Sequence, residues 1–235
     1  MKTTNYAKKE HARNKRLTIP QFERKYGVGF TRKHSGKMTD VVSISTSCRC
    51  NPNCEARKGL KGSICEKCYA DAMHDQYSDL AAKLERNTKV LTTVIFPVED
   101  IPYITSKSGY FRFEAFGDLV NEIQVVNYFN IAAANDHLKC ALWTKNPWII
   151  KSAIAKYNLV KPANLTIIGS SYFVNEPMDF SGYDFIDKTF TVYSPDYIQE
   201  HGIEINCGAR SCATCGLCYE NKGGREVSEM LKNRG

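Results

Sequence analysis

The sequence predicts an α/β protein, a partial (βα)6 barrel with parallel strands, on three observations. Short runs of β-branched and aromatic residues alternate with longer segments of helical periodicity. Six such strand runs occur, enough for right-handed crossovers to curl one sheet toward a barrel. Nine of the ten cysteines fall in two short groups expected directly after the first and last strands. Parallel sheets carry their chemistry at those carboxyl ends.

The elements follow in order. Residues 1–40 hold scattered aromatics (Tyr6, Phe22, Tyr26, Phe30) with poor periodicity and are read as a basic N-terminal arm, residues 41–235 as the body. The first strand, 41–46, alternates as Asp40-Val-Val-Ser-Ile-Ser and runs into the first cysteine group. Ala70, Met73, Tyr77, Leu80, Leu84 and Leu91 then mark one helix over 69–92. Tyr110-Phe-Arg-Phe-Glu-Ala-Phe is the second strand. Gly117 and Asp118 turn it into a helix marked by Leu119, Ile123, Val126, Phe129 and Ala133. Lys139-Cys-Ala-Leu-Trp-Thr is the third strand, after which Asn146 caps and Pro147 opens a helix. Leu165-Thr-Ile-Ile-Gly and Lys188-Thr-Phe-Thr-Val-Tyr are the fourth and fifth strands. Ser194 and Pro195 start a short helix that ends near Gly202. Ile203-Glu-Ile is the expected last strand, delivering Cys207, and the residues after Gly223-Gly224 a frayed helix.

Bulk properties narrow the function. A globule of 235 residues buries roughly 70–75% of its unfolded surface and needs no disulfides. No apolar run is long enough to span a membrane. The N-terminus lacks the apolar core of a secretory signal, so the expected compartment is cytoplasmic and reducing. There, clustered cysteines mean metal or redox chemistry. Residues 1–37 carry eleven Lys and Arg against Glu10 and Glu23, a net of +9, leaving −2 for the rest of a chain whose total is +7. Such an arm is a candidate contact for nucleic acid or another polyanion, against the plainer reading of a solvated leader.

The first group holds Cys48, Cys50, Cys54, Cys65 and Cys68, with Cys65 and Cys68 at the C-x2-C spacing that brings two thiolates to one metal. The second is a C-x4-C-x2-C-x2-C run of Cys207, Cys212, Cys215 and Cys218, close to iron–sulfur ladders. The metal candidates are Cys54, Cys65, Cys68, Cys207, Cys212, Cys215 and Cys218, with Cys48 and Cys50 as spares. An iron–sulfur cluster, [4Fe-4S] in type and one or two in number, is favoured over zinc. Cysteine far outnumbers histidine as a donor, and the second run is ferredoxin-like. Closed four-cysteine zinc sites remain the alternative. Cys140 reads as a small buried residue and His74 as a surface histidine.

Strand ends supply the other candidates. Glu114, Asp118 and Lys145 are the catalytic candidates, and Glu114, Asp118, Asn146 and Ser170 those for cofactor binding. Glu114 leads because residues 111, 113 and 116 are all Phe, which solvates a carboxylate poorly. No Walker loop or G-x-G-x-x-G motif occurs.

Several blocks resemble the bacteriophage "gene product 88" proteins: N-P-x-C at 51–54, S-I-C-x-x-C-Y-A at 63–70 and F-R-F-E-A-F-G-D-L at 111–119. A-L-W-T-K-N at 141–146 and C-x-x-C-G-L-C-Y at 212–219 complete the set. The resemblance spans about residues 41–220 and implies a phage or prophage protein acting in the host cytoplasm. More distantly the chain is similar to radical S-adenosylmethionine enzymes, which have a partial (βα)6 barrel and a three-cysteine, four-iron cluster after strand one. That likeness implies Cys54, Cys65 and Cys68 as ligands, Glu114 or Asp118 beside the methionine amino group of S-adenosylmethionine, an electron donor as partner, and the second cysteine group as an auxiliary cluster. The spacing departs from that family, C-x10-C-x2-C in place of C-x3-C-x2-C. Lys67 replaces an aromatic, and no G-G-E follows the second strand.

Overall fold

The computed structural model describes residues 16–209, 211–220 and 223–231. Six parallel strands form one open sheet in chain order: β1 (Val42–Ile44), β2 (Tyr110–Phe113), β3 (Lys139–Thr144), β4 (Leu165–Ser170), β5 (Lys188–Tyr193) and β6 (Glu226–Met230). The register aligns Val42, Phe111, Cys140 and Leu165 in one row and Ile44, Phe113, Leu142 and Ile167 in another. These rows bury the main core against α5 (Glu122–Ala134) and α6 (Pro147–Tyr157) through residues such as Tyr128, Ile131 and Ile150. The alternate residues, Val41, Tyr110, Ala141 and Ile168, face the other way and pack with Trp143, Phe190 and Tyr219. Helices therefore cover one face of the sheet, and the C-terminal cysteine segment covers part of the other. Cys140 is buried, as its place in a strand predicts.

Several expectations are corrected. The arm does not extend to residue 40. Helix α1 (Ile19–Tyr26) carries a capping box in which Thr18 and Gln21 satisfy each other's backbone groups. It buries Ile19 and Phe22 in the main core, and Val28 and Phe30 follow. Only residues 1–15 of the expected arm lie outside the described residues.

The helix predicted over 69–92 is two, α3 (Tyr69–Gln76) and α4 (Ser78–Leu91), because Tyr77 takes an extended conformation (φ −136°, ψ 89°). The break leaves Tyr77 exposed and turns His74 inward, so His74 is buried, with Nε2 3.3 Å from Ser47 Oγ. Strand β2 ends at Phe113 rather than Phe116, since Glu114 sits at φ +55°, a left-handed conformation no strand continues through.

The last strand is not Ile203-Glu-Ile but Glu226–Met230, where Val227 and Ser228 are buried. The second cysteine group consequently precedes the last strand, lying in the connection from α7 (Pro195–His201) to β6. Asn206 and Cys207 donate their N–H groups to Ser228 O, which ties the start of that group to β6.

Candidate functional site

The carboxyl ends of β1, β2 and β3 meet in a buried polar network centred on Asp118. Its carboxylate accepts from Thr144 Oγ1 (2.7 Å), Lys145 N (2.9 Å) and its neighbour Leu119 N (2.7 Å), and pairs with Arg57 at 3.6 Å. Asn51 caps α2 (Pro52–Lys58) by accepting from Asn53 N, while its amide donates to the carbonyls of Asp118 and Leu119. Asn146 also donates to Leu119 O and accepts from Arg57. The Arg57 guanidinium lies 5.0 Å from the Tyr172 ring and 5.9 Å from that of Trp148. Three motifs separate in sequence, N-P-x-C, F-G-D-L and W-T-K-N, thus close on one another. Buried amides and a buried ion pair cost free energy unless their partners are complete, so these short motifs specify one another.

That network seats the first cysteine group. Cys54 lies on α2, Cys68 caps α3, and the loop between is pinned by Ile64 N donating to Tyr172 O at 2.8 Å. Cys54, Cys65 and Cys68 are near enough to feel one another's charge. Burial raises the Cys54 and Cys65 thiols, opposed by Arg57 at the first and by Lys145 at the second. Cys48, buried behind them, is close enough to Cys68 for the two thiols to perturb each other. The neighbouring Cys48, with the N–H groups of Asp71 and Ala70 at the start of α3 and the charge of Lys145, lowers the Cys68 thiol, while Cys68 and burial raise that of Cys48. Cys50 is exposed and apart from this set. The Lys145 ammonium makes no hydrogen bond or ion pair among the described residues and faces Cys65 and Cys68.

Glu114 lies just behind. It is 2% exposed, and its two oxygens accept from Thr46 N (3.1 Å), Thr46 Oγ1 (3.0 Å), Gln124 Nε2 (2.6 Å) and Tyr128 Oη. Burial pushes its pKa up to about 7, the Tyr128 and Thr46 bonds opposing. Gly117 permits this packing, because a Cβ there would stand 2.5 Å from Thr46 Oγ1 and 2.7 Å from Glu114 Oε2. Ser170 is buried at the end of β4, beside Phe190 of β5 and outside the Asp118 network. The expected residues therefore fall in three places. Cys54, Cys65, Cys68, Asp118, Lys145 and Asn146 share one neighbourhood, Glu114 is an interior strut behind it, and Ser170 stands apart. Arg57 carries no signal of its own in the sequence, because N-C-E-A-R-K looks like any surface helix until Asp118 is placed beside it.

The second group is built locally. Ser211 caps the single turn α8 (Cys212–Cys215), accepting from Ala213 N, which brings Cys212 and Cys215 to one side. Gly216, left-handed at φ +63°, turns the chain back so that Cys218 comes alongside. Cys207, Cys212, Cys215 and Cys218 line one small hollow with Lys37, Leu217 and Tyr219. Burial raises the thiols of Cys207, Cys212 and Cys218, the last to about 12, opposed by Lys37 at Cys207 and by Arg112 at Cys212 and Cys218.

Among the described residues no three Cys, His, Asp or Glu side chains converge as the ligands of a single metal ion, and all ten cysteines are free thiols. The donor sets nevertheless suit soft, thiolate-bound metal. Each is thiol-rich, half to fully buried and beside fixed cations that favour the ionised sulfur. The fit to S-adenosylmethionine is poorer, since both oxygens of Glu114 and both of Asp118 are already taken. No helix among the described residues is long and apolar enough to cross a membrane. Comparison with protein-family models, curated proteins and solved structures gave no match, so the likeness to the phage and radical S-adenosylmethionine families rests on the motifs quoted above.

Proposed function

We propose that this chain is an iron–sulfur protein on a partial (βα)6 barrel, with one cluster at each cysteine group. What supports the reading is convergence. Cys48, Cys54, Cys65 and Cys68 share one half-buried neighbourhood beside Lys145 at the carboxyl ends of β1–β3, and four more line one hollow. For the first centre the closeness of buried Cys48 to Cys68 favours a closed shell of Cys48, Cys54, Cys65 and Cys68, a centre that carries electrons. The second reading is an enzyme whose cluster uses Cys54, Cys65 and Cys68 alone and keeps one iron open to S-adenosylmethionine. The Lys145 ammonium beside the cysteines, unpaired among the described residues and at the usual place of chemistry in a parallel sheet, favours it. A bound cluster would supply one-electron chemistry. The chain itself holds the ligands, excludes water through the Asp118 network and sets a cation beside the sulfurs.

The test is Cys48→Ala in anaerobic protein. Loss of the first cluster's electron paramagnetic resonance signal supports the closed shell. A retained signal that changes when S-adenosylmethionine is added supports the open site and the enzyme. Zinc in place of iron would contradict both and favour the zinc-stabilised alternative. A polyanion contact through residues 1–15 is the remaining proposal for a partner. The cations of 16–37 are largely engaged: Arg16 with backbone carbonyls, Lys25 with Asp100, Arg32 with Glu23 and Lys37 with Glu229.

A further inference from the structure

The face of the sheet beneath the second cysteine group holds a cation with no matching anion among the described residues. Arg112, in the middle of β2, lays its guanidinium 3.9 Å from the centroid of the Trp143 ring. It donates from Nη1 to Met38 Sδ at 3.7 Å, a weak acceptor, and its buried Nε has no partner. No carboxylate pairs with it among the described residues. A second orphan lies beside it. Tyr219 is 4% exposed and lines the cysteine hollow, and its buried hydroxyl has no hydrogen-bond partner. Its ring stacks on Tyr110 at 4.6 Å and meets Trp143 edge-on at 6.2 Å. Cys212 and Cys218 pack on this same layer and feel the charge of Arg112. From the other side Lys37 Nζ reaches Cys207 O at 3.2 Å and its sulfur at 3.9 Å, while also bonding Glu229.

A buried guanidinium and a buried hydroxyl left unsatisfied are costly, and folded proteins carry few of them. Here both lie beside the second cysteine group, whose four cysteines line one hollow. The pieces balance if the cysteines carry a net negative charge together. Four thiolates around metal do so, and Arg112 is then the missing counter-charge.

We propose that Arg112 is the counter-ion of an anionic metal–thiolate centre on Cys207, Cys212, Cys215 and Cys218, and that it sets that centre's reduction potential. This rests on the iron–sulfur reading above. Adding an electron makes the centre more negative, so a fixed cation stabilises the reduced state and raises the potential. Arg112 ligates nothing; it is a positioning residue acting through charge. At an effective dielectric near 20, one unit charge about 10 Å away is worth more than tenfold in the ratio of reduced to oxidised centre.

The experiment is a spectroelectrochemical titration of the anaerobic full chain as wild type, Arg112→Gln, Arg112→Met and Arg112→Lys. Circular dichroism and iron content are checked for each variant. The expected result is a lower midpoint potential for one centre in Arg112→Gln and Arg112→Met, equivalent to at least about tenfold in that ratio. The other centre stays unmoved, and Arg112→Lys lies close to wild type. Should Arg112→Met fail to fold, Arg112→Gln, which keeps polarity and most of the volume, carries the test. Unchanged potentials in folded, iron-loaded Arg112→Gln would overturn the counter-ion role and leave the cluster standing. The underlying reading fails separately, through Cys212→Ala/Cys215→Ala protein whose iron content equals wild type.

Discussion

Glu114 gives the sharpest test of the interior that supports the site. Its carboxyl is raised from the ordinary range near 4.5 to about 7, by burial first. The sign follows from proton counting. Between these two values the folded state keeps a proton on Glu114 that the unfolded chain has lost. Stability from this group is therefore complete below about pH 4.5 and is lost as pH rises through 7. The shift corresponds to about 3 kcal/mol between pH 4.5 and 8, or roughly 6–12 °C in Tm for a chain of this size. Glu114→Gln cannot ionise and removes the slope. It also replaces an acceptor by a donor among Thr46, Gln124 and Tyr128, so it is less stable than wild type at low pH, where the contrast is largest. The assay is urea or thermal unfolding of both proteins from pH 4.5 to 8.5. Taking the difference cancels other titrations such as His34, whose pKa burial holds down at about 4. Parallel profiles would refute the assignment and mean that water reaches Glu114.

Other outcomes follow from the same geometry. Gly117→Ala forces a Cβ into Thr46 and Glu114 and destabilises by about 1–3 kcal/mol in the same melts. Arg57→Met strands Asp118 and costs about 3–5 kcal/mol, whereas adding Asp118→Asn recovers part of that loss, a coupling that a double-mutant cycle reads directly. Phe22→Ala costs about 3–5 kcal/mol because Phe22 is core rather than arm. Deleting residues 1–15 lowers affinity for a heparin column and flattens its salt dependence if those residues carry the polyanion contact; equal retention refutes that contact.

Much of the sheet was readable in the sequence. Strands β2 to β5 have β-branched and aromatic runs bounded by clear helix starts, Asn146-Pro147 and Ser194-Pro195 among them. Strand β6 was not readable. Glu-Val-Ser-Glu-Met has one strongly apolar residue, and its place at the sheet comes from pairing with β5, which propensity does not record. The break at Tyr77 was hidden for a similar reason, since the apolar steps run unbroken through a residue that turns out to be exposed. At the site, cysteine spacing marked both groups as candidates, and the Phe residues around Glu114 foretold its burial. The same sequence did not show that Glu114 and Asp118 have their hydrogen bonds filled from within. Those partners (Thr46, Gln124, Tyr128, Arg57, Thr144) lie up to 68 residues away in the chain. Arg112 was visible as a strand residue, but only the fold places it against Trp143 and Met38 with no carboxylate paired to it among the described residues.

The central claim is that the two cysteine groups hold separate iron–sulfur centres. It is tested most directly by measuring iron, acid-labile sulfide and zinc in anaerobically prepared wild type and in Cys212→Ala/Cys215→Ala. Iron and sulfide are expected in comparable amounts in the wild type, with loss of one centre's share of both in the double variant, because two thiolates do not hold a cluster. Zinc without sulfide in the wild type, or the same iron in both proteins, would contradict it.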